Sequence, residues 1–224
     1  MLLTSLFAPS VPKFYFCGVM TPERTNKINR VLNLRQSGLV MVMENVYDPH
    51  NISAVMRTCD AVGVQDIFVL NNMIKPHKKF AKTSSASALG WLTIHQYTNT
   101  DECMAAVKQL CDKVYATHLG TASCSLYDLD LTQRVALVFG NEREGVTEEC
   151  LSYCDGNFII PQVGMVQSLN ISVACAITLY EAFRQRGLAG YYDGSGTLPA
   201  HQRSMLAESW GLYPEVGMKS DVTN

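Results

Sequence analysis

Several short runs in this chain are apolar at nearly every step rather than at every second one: 39–46 (LVMVMENV), 66–70, 114–119 and 135–139. A strand sends successive side chains to opposite faces, so an alternating run has one dry face and a continuous one has two. Such strands need cover on both sides. The cover is at hand: helical segments are predicted at 22–35, 48–62, 101–112 and 168–186, between and after the strands. A short helix and a strand are expected in TSSASALG and WLTIHQY, and a further short strand at 158–160. Strand–helix alternation with continuous apolar strands predicts an α/β domain, a parallel sheet with helices on both faces.

The 224 residues suit one such domain with helical extensions at its two ends. With 47% hydrophobic and 17% charged residues, the chain carries enough apolar material for a core. A net charge of −2 gives no overall positive field, so contact with a polyanion must come from local basic patches. The eight cysteines are scattered, and the close pair Cys150 and Cys154 has no histidine or second pair beside it. No metal site is expected, and buried free thiols in a reducing cytoplasm are the simpler reading. Residues 1–19 are apolar but broken by two prolines and lack the charged start of a secretory signal. They read as a disordered extension ahead of Met20, where Thr21 can cap a helix and Pro22 fits its first turn. No stretch approaches the roughly 18 apolar residues that cross a membrane.

Three segments stand where a strand gives way to a loop or helix, the usual place for a site in such a sheet. In the first, ENVYDPHNISAVMRTCDAVG (44–63), Arg57 sits among Val55, Met56, Ala61 and Val62. An arginine there is either half of a structural ion pair or aimed at a phosphate or a reacting oxygen. In the second, LVFGNEREGV (137–146), Gly140 and Gly145 permit tight turns and close approach. Its glycine spacing is that of a nucleotide-phosphate loop, but Val146 and Thr147 replace the lysine and hydroxyl residue that chemistry needs. In the third, IIPQVGMVQSLNISVACAITLYEAFRQR (159–186), Ser168 is placed to cap the long helix and Asn170 follows it.

Taken together, the three segments closely resemble the signature motifs of the SpoU, or TrmH, branch of the SPOUT methyltransferases. The likeness runs from about Met20 into the C-terminal region. It includes the TPER…RQ opening and is strongest to tRNA guanosine 2′-O-methyltransferases that act on position eighteen of the D-loop. The resemblance implies a C-terminal trefoil knot, a homodimer, no membrane, and domain limits of 20–190 with a C-terminal tail at 191–224. It also implies S-adenosylmethionine as methyl donor, held at Thr117, Gly140, Ile160, Met165 and Leu169. The family's catalytic positions fall on Arg57, Asn51, Glu142, Ser168 and Asn170.

For tRNA the resemblance implies Arg24, Arg35, His50, Arg184 and Arg186, to which Lys75, Lys78, Lys79 and Lys82 add a basic loop with Phe80 for stacking. One departure stands out: Asp48 occupies a position where a well-known tRNA enzyme of the family carries lysine. Neutralising a guanidinium near neutral pH costs about 9 kcal/mol. Arg57 therefore reads as a cation that holds phosphate and stabilises charge on the 2′-oxygen, not as a base. The alternatives are methylation of another tRNA or rRNA nucleotide, or a non-catalytic RNA-binding protein of the same fold.

Overall fold

The computed structural model describes residues 20–77, 88–120, 122–166 and 168–212. Seven strands form one sheet: β1 (Leu39–Glu44), β2 (Asp66–Leu70), β3 (Thr93–Tyr97), β4 (Lys113–Thr117), β5 (Cys124–Ser125), β6 (Val135–Phe139) and β7 (Gly156–Ile159). Their order is β3-β2-β1-β6-β4-β7-β5, with every pairing parallel. The helices are α1 (Pro22–Leu34), α2 (Pro49–Val62), α3 (Thr100–Leu110), α4 (Glu148–Leu151), α5 (Ile171–Leu188) and α6 (Ala200–Ser209).

The continuous apolar runs are explained by two cores. On β1, Leu39, Met41 and Met43 point into one core, and Val40 and Val42 into the other. Strand β6 divides the same way, with Val135, Leu137 and Phe139 on one face and Ala136 and Val138 on the other. Helices α2 and α5 supply Ile52, Val55, Met56, Cys175 and Leu179 to the first core. Helices α3 and α4 supply Cys103, Met104, Val107 and Cys150 to the second. The central strands β1 and β6 are buried at every residue, while the edge strand β3, TIHQY, is only half-buried and correspondingly more polar.

Helix starts follow local chemistry. Thr21 accepts from the Arg24 N–H and Pro22 occupies the first turn of α1. Asp48 accepts from the His50 N–H, with Pro49 opening α2. The unexpected carboxylate at position 48 thus has a structural use: it satisfies an orphan amide and complements the helix dipole. Asn99 caps α3, which begins at Thr100, one residue ahead of the expected start. The cap of α5 is Asn170, not Ser168: the Asn170 Oδ1 accepts from the Ser172 N–H at 2.8 Å, and the helix begins at Ile171.

Between residues 197 and 210 the chain packs back on α1 and the turn after it. Trp210 is buried with Ile28 and Leu32 of α1, and Leu206 of α6 packs on the same cluster. Arg203 of α6 donates to the side-chain oxygens of Asn29 and Asn33. Thr197 donates to the Arg35 carbonyl and accepts from the Ser37 N–H. Residues 1–19, Lys78, Lys79, Phe80 and Lys82 lie outside the described residues.

Candidate active site

Strands β1 and β6 are neighbours, so the segments that leave their C-terminal ends meet. From β1 the chain enters α2, whose first turn carries Asn51. From β6 it enters the Gly140–Gly145 loop. That loop is closed by paired backbone bonds between Asn141 and Gly145 at 3.1 and 3.2 Å. The Asn141 side chain accepts from the Arg143 and Glu144 amides at 2.9 and 2.8 Å. A Cβ on Gly140 would stand 1.9 Å from the Gly145 carbonyl, so only glycine permits this crossing.

The result presents Glu142 outward, where the Asn51 Nδ2 donates to its Oε1 at 2.5 Å. The Asn170 Nδ2 in turn donates to the Asn51 Oδ1 at 3.2 Å. Residues 51, 142 and 170, one from each motif, form a single exposed chain of amides ending on a carboxylate. Ser168 is exposed in the loop just ahead of it.

Beneath this chain lies a polar group that sequence reasoning missed. Glu44, at the end of β1, is fully buried. It accepts from the Thr147 hydroxyl at 2.6 Å and the Thr147 N–H at 2.9 Å. Thr147 is also the cap of α4. Glu44 therefore ties the end of the first motif's strand to the exit of the Gly140–Gly145 loop. Burial pushes its carboxyl above the usual range, the Thr147 bonds opposing the shift and Glu149 adding to it. Asn45, next in the chain, has φ +50, a region that asparagine tolerates better than most residues. Its side chain accepts from the Met73 N–H and donates to Asn72. The available signal was a carboxylate closing an otherwise apolar strand.

Of the five residues expected to hold the methyl donor, three stand at the C-terminal ends of adjacent strands. Thr117 ends β4, Gly140 follows β6 and Ile160 follows β7; these three strands are adjacent in the order β6-β4-β7. The Thr117 hydroxyl donates to the Val138 carbonyl at 3.4 Å. Met165 and Leu169 belong to the 160–170 segment that leaves β7, where Val163 and Met165 are wholly exposed. Apolar side chains and bare backbone at the mouth of three strands fit an adenosine held by main-chain bonds in an apolar slot.

Arg57 lies two turns along α2 from Asn51 and differs from its expected apolar setting. It is exposed, with no hydrogen bond or ion pair among the described residues. Its apolar sequence neighbours Val55, Met56 and Val62 face the core instead, because α2 packs against α5 on the opposite side. The structural-pair reading of Arg57 therefore fails within one chain.

Two of the expected tRNA arginines are corrected. Arg35 is fully buried: it pairs with Asp60 at 2.6 Å, donates to the carbonyls of Val64 and Trp91, and lies against the Trp210 ring. Arg186 is 1% exposed and spends its donors on the carbonyls of Leu131, Gln133 and Gly38. Both clamp loop backbone to the body, and neither can reach a phosphate. Burial pushes both guanidinium groups below their ordinary value. Arg184 does project, in a two-pronged pair with Glu181. Arg24, Lys27, Arg30, His50 and Lys75 are exposed.

Comparison with known proteins bears on this arrangement. The family described as "SpoU rRNA Methylase family" matches residues 38–180. A tRNA (guanosine(18)-2'-O)-methyltransferase of Thermus thermophilus is 40% identical over 188 residues, 84% of this chain and 96% of that protein. Among solved structures, the TrmH/SpoU tRNA modifying enzyme of A. aeolicus superposes with a TM-score of 0.76 at 34% identity, covering 84% of this chain and 94% of its own. The AdoMet complex of the SpoU methyltransferase AviRb from Streptomyces viridochromogenes superposes with a TM-score of 0.62 at 27% identity, covering 70% of this chain and 64% of its own.

Proposed function

This chain belongs to the SpoU methylase family, and from that premise we propose that it transfers a methyl group from S-adenosylmethionine to the ribose 2′-hydroxyl of guanosine 18 in tRNA. The observation that carries the reading is the convergence of Asn51, Glu142 and Asn170 beside the mouth of β6, β4 and β7. A fold kept only for binding RNA has no need of that polar chain.

The bound donor supplies an electrophilic sulfonium methyl. Backbone at Thr117, Gly140 and Ile160, with Met165 and Leu169, would hold it. Asn51, Glu142 and Asn170, together with Ser168, would orient the ribose so that the 2′-oxygen lies in line with the methyl carbon; positioning of this kind supplies much of the acceleration. Arg57 would hold the adjoining phosphate and stabilise negative charge growing on the 2′-oxygen, with the proton passing to phosphate or water.

The active form is a homodimer in this reading. Val173, Tyr180 and Phe183 of α5 are exposed and apolar. Arg57 and Ala61 are exposed on the neighbouring α2. A second copy seated there would bury the apolar side chains of α5 and bring its own surface beside Arg57, leaving the guanidinium open to the substrate. Arg24, His50 and Arg184 remain as tRNA contacts, joined by Lys27 and Arg30 of α1. No helix among the described residues is long and apolar enough to cross a membrane, and a cytoplasmic location follows from the substrate.

Incubation with a tRNA transcript and methyl-labelled donor, followed by nucleoside mapping, tests the reading. Label in 2′-O-methylguanosine at position 18 is expected; label elsewhere, or none, would overturn it.

A further inference from the structure

Tyr47 and Arg143 come from different motifs and meet at the surface. The Arg143 guanidinium carbon stands 5.6 Å from the centre of the Tyr47 ring, and Tyr47 is 47% exposed. Arg143 is flanked in sequence by Glu142 and Glu144, yet its side chain forms no hydrogen bond or ion pair among the described residues. Its backbone is fixed by the Asn141 side chain, so the arginine's origin is set while its donors remain uncommitted.

The placement is informative. Tyr47 directly precedes Asp48, the cap of α2, and Asn51 lies one turn further on. Arg143 directly follows Glu142, the residue that Asn51 binds. The pair therefore forms one lip of the polar chain assigned to the ribose. Base and 2′-hydroxyl sit on adjacent ribose carbons, so a nucleotide whose 2′-oxygen reaches that chain carries its base into the same neighbourhood, where the lip is one of the surfaces it can meet.

We propose that Tyr47 and Arg143 form a recognition clamp for the target base, in which Arg143 reads the O6 and N7 acceptors of guanine and Tyr47 holds the guanidinium plane. The inference rests on the ribose-methylation reading above. Guanine offers two acceptors side by side on this edge, matched by the guanidinium fork. Adenine replaces O6 with an amino donor, which would face a donor. An aromatic face beneath the cation limits its rotamers, so less entropy is lost when the fork engages.

The test uses transcripts carrying guanosine, adenosine or 7-deazaguanosine at position 18, with the wild type, Arg143→Ala, Arg143→Lys and Tyr47→Leu. For the wild type, loss of N7 should lower kcat/KM about tenfold, and adenosine should lower it more. Arg143→Ala should lower kcat/KM for guanosine about ten- to a hundredfold and should not distinguish guanosine from 7-deazaguanosine. Arg143→Lys should recover only part, because an ammonium cannot bridge two acceptors in one plane. Tyr47→Leu should weaken discrimination less than Arg143→Ala. Binding of S-adenosylmethionine should be unchanged throughout, which separates recognition from damage to the fold. If Arg143→Ala keeps the wild-type penalties for both altered bases, the clamp is refuted while the methylation reading stands. If the wild type methylates none of the transcripts, both fall together.

Discussion

The Asn51 amide donates to the Glu142 carboxylate at 2.5 Å across 91 residues of chain. Both residues are reachable from solvent, and neither anchors anything in the core. A close bond between two surface side chains, one on the first turn of α2 and one on the loop after β6, sets a site rather than a fold. Asn51 in turn accepts from Asn170, so it is the middle of a relay, and its removal disconnects the other two.

That arrangement makes the two residues energetically coupled. Asn51→Ala and Glu142→Ala should each reduce methyl transfer by more than about a hundredfold, and the double variant should lose little more than either alone. Stability should change by less than about 1 kcal/mol in each. Single-turnover rates and urea unfolding of the three variants check both halves; additive rate losses would show that the bond is incidental.

Arg57→Ala should nearly abolish transfer while leaving donor affinity within a few-fold, because Arg57 serves the acceptor and stands on α2, away from the mouth of β6, β4 and β7. Arg57→Lys should also be poor, lacking the planar fork for phosphate. Stability should hardly move, since the exposed Arg57 side chain is bonded to nothing described in its own chain. Calorimetric donor binding beside turnover separates these effects.

Arg184 and Arg186, two residues apart, should behave oppositely. Arg186→Ala orphans the buried carbonyl of Leu131 and the part-buried carbonyl of Gln133, and should destabilise the protein by on the order of 3 kcal/mol. The salt dependence of tRNA binding should be unchanged in whatever fraction folds. Arg184→Ala removes an exposed guanidinium from its pair with the buried Glu181, to which Gln185 still donates, and should cost on the order of 1 kcal/mol. It should lower the salt slope by about one unit. Urea melts and binding across a salt series distinguish the two residues.

Glu44 gives the fold a pH dependence with a definite sign. Its carboxyl is raised above the ordinary 4.5, chiefly by burial. The unfolded chain therefore releases this proton first as pH rises. The stability that the protonated form contributes is complete below 4.5 and is lost as pH climbs through the raised folded value. Glu44→Gln cannot titrate, so its stability relative to the wild type should improve from pH 4 towards neutrality. It should still start from a deficit, because an amide cannot accept from both the hydroxyl and the N–H of Thr147 with equal geometry. Urea midpoints of both proteins from pH 4 to 8 check the slope.

The sequence by itself determined the sheet and its cover. Runs such as VALVF are apolar on both strand faces, and only a sheet sandwiched by helices makes both faces dry. It also determined the starts of α1 and α2, since capping and proline act over three or four residues. Asn51, Glu142 and Asn170 were expected as site residues because the resemblance to the family falls on them, each in a motif at the end of a strand. What only the tertiary structure decided was which charged side chains face water. Arg35 and Arg186 look in sequence like the exposed arginines around them, but each meets backbone carbonyls brought from 25 to 149 residues away. Helical periodicity does not encode where those carbonyls will be. The same reason hid Glu44, whose partner Thr147 is 103 residues distant, and the meeting of Tyr47 with Arg143. Local sequence fixes a residue's element and its place along it; a charge or ring acquires its partner only when separate loops are carried to the same end of the sheet.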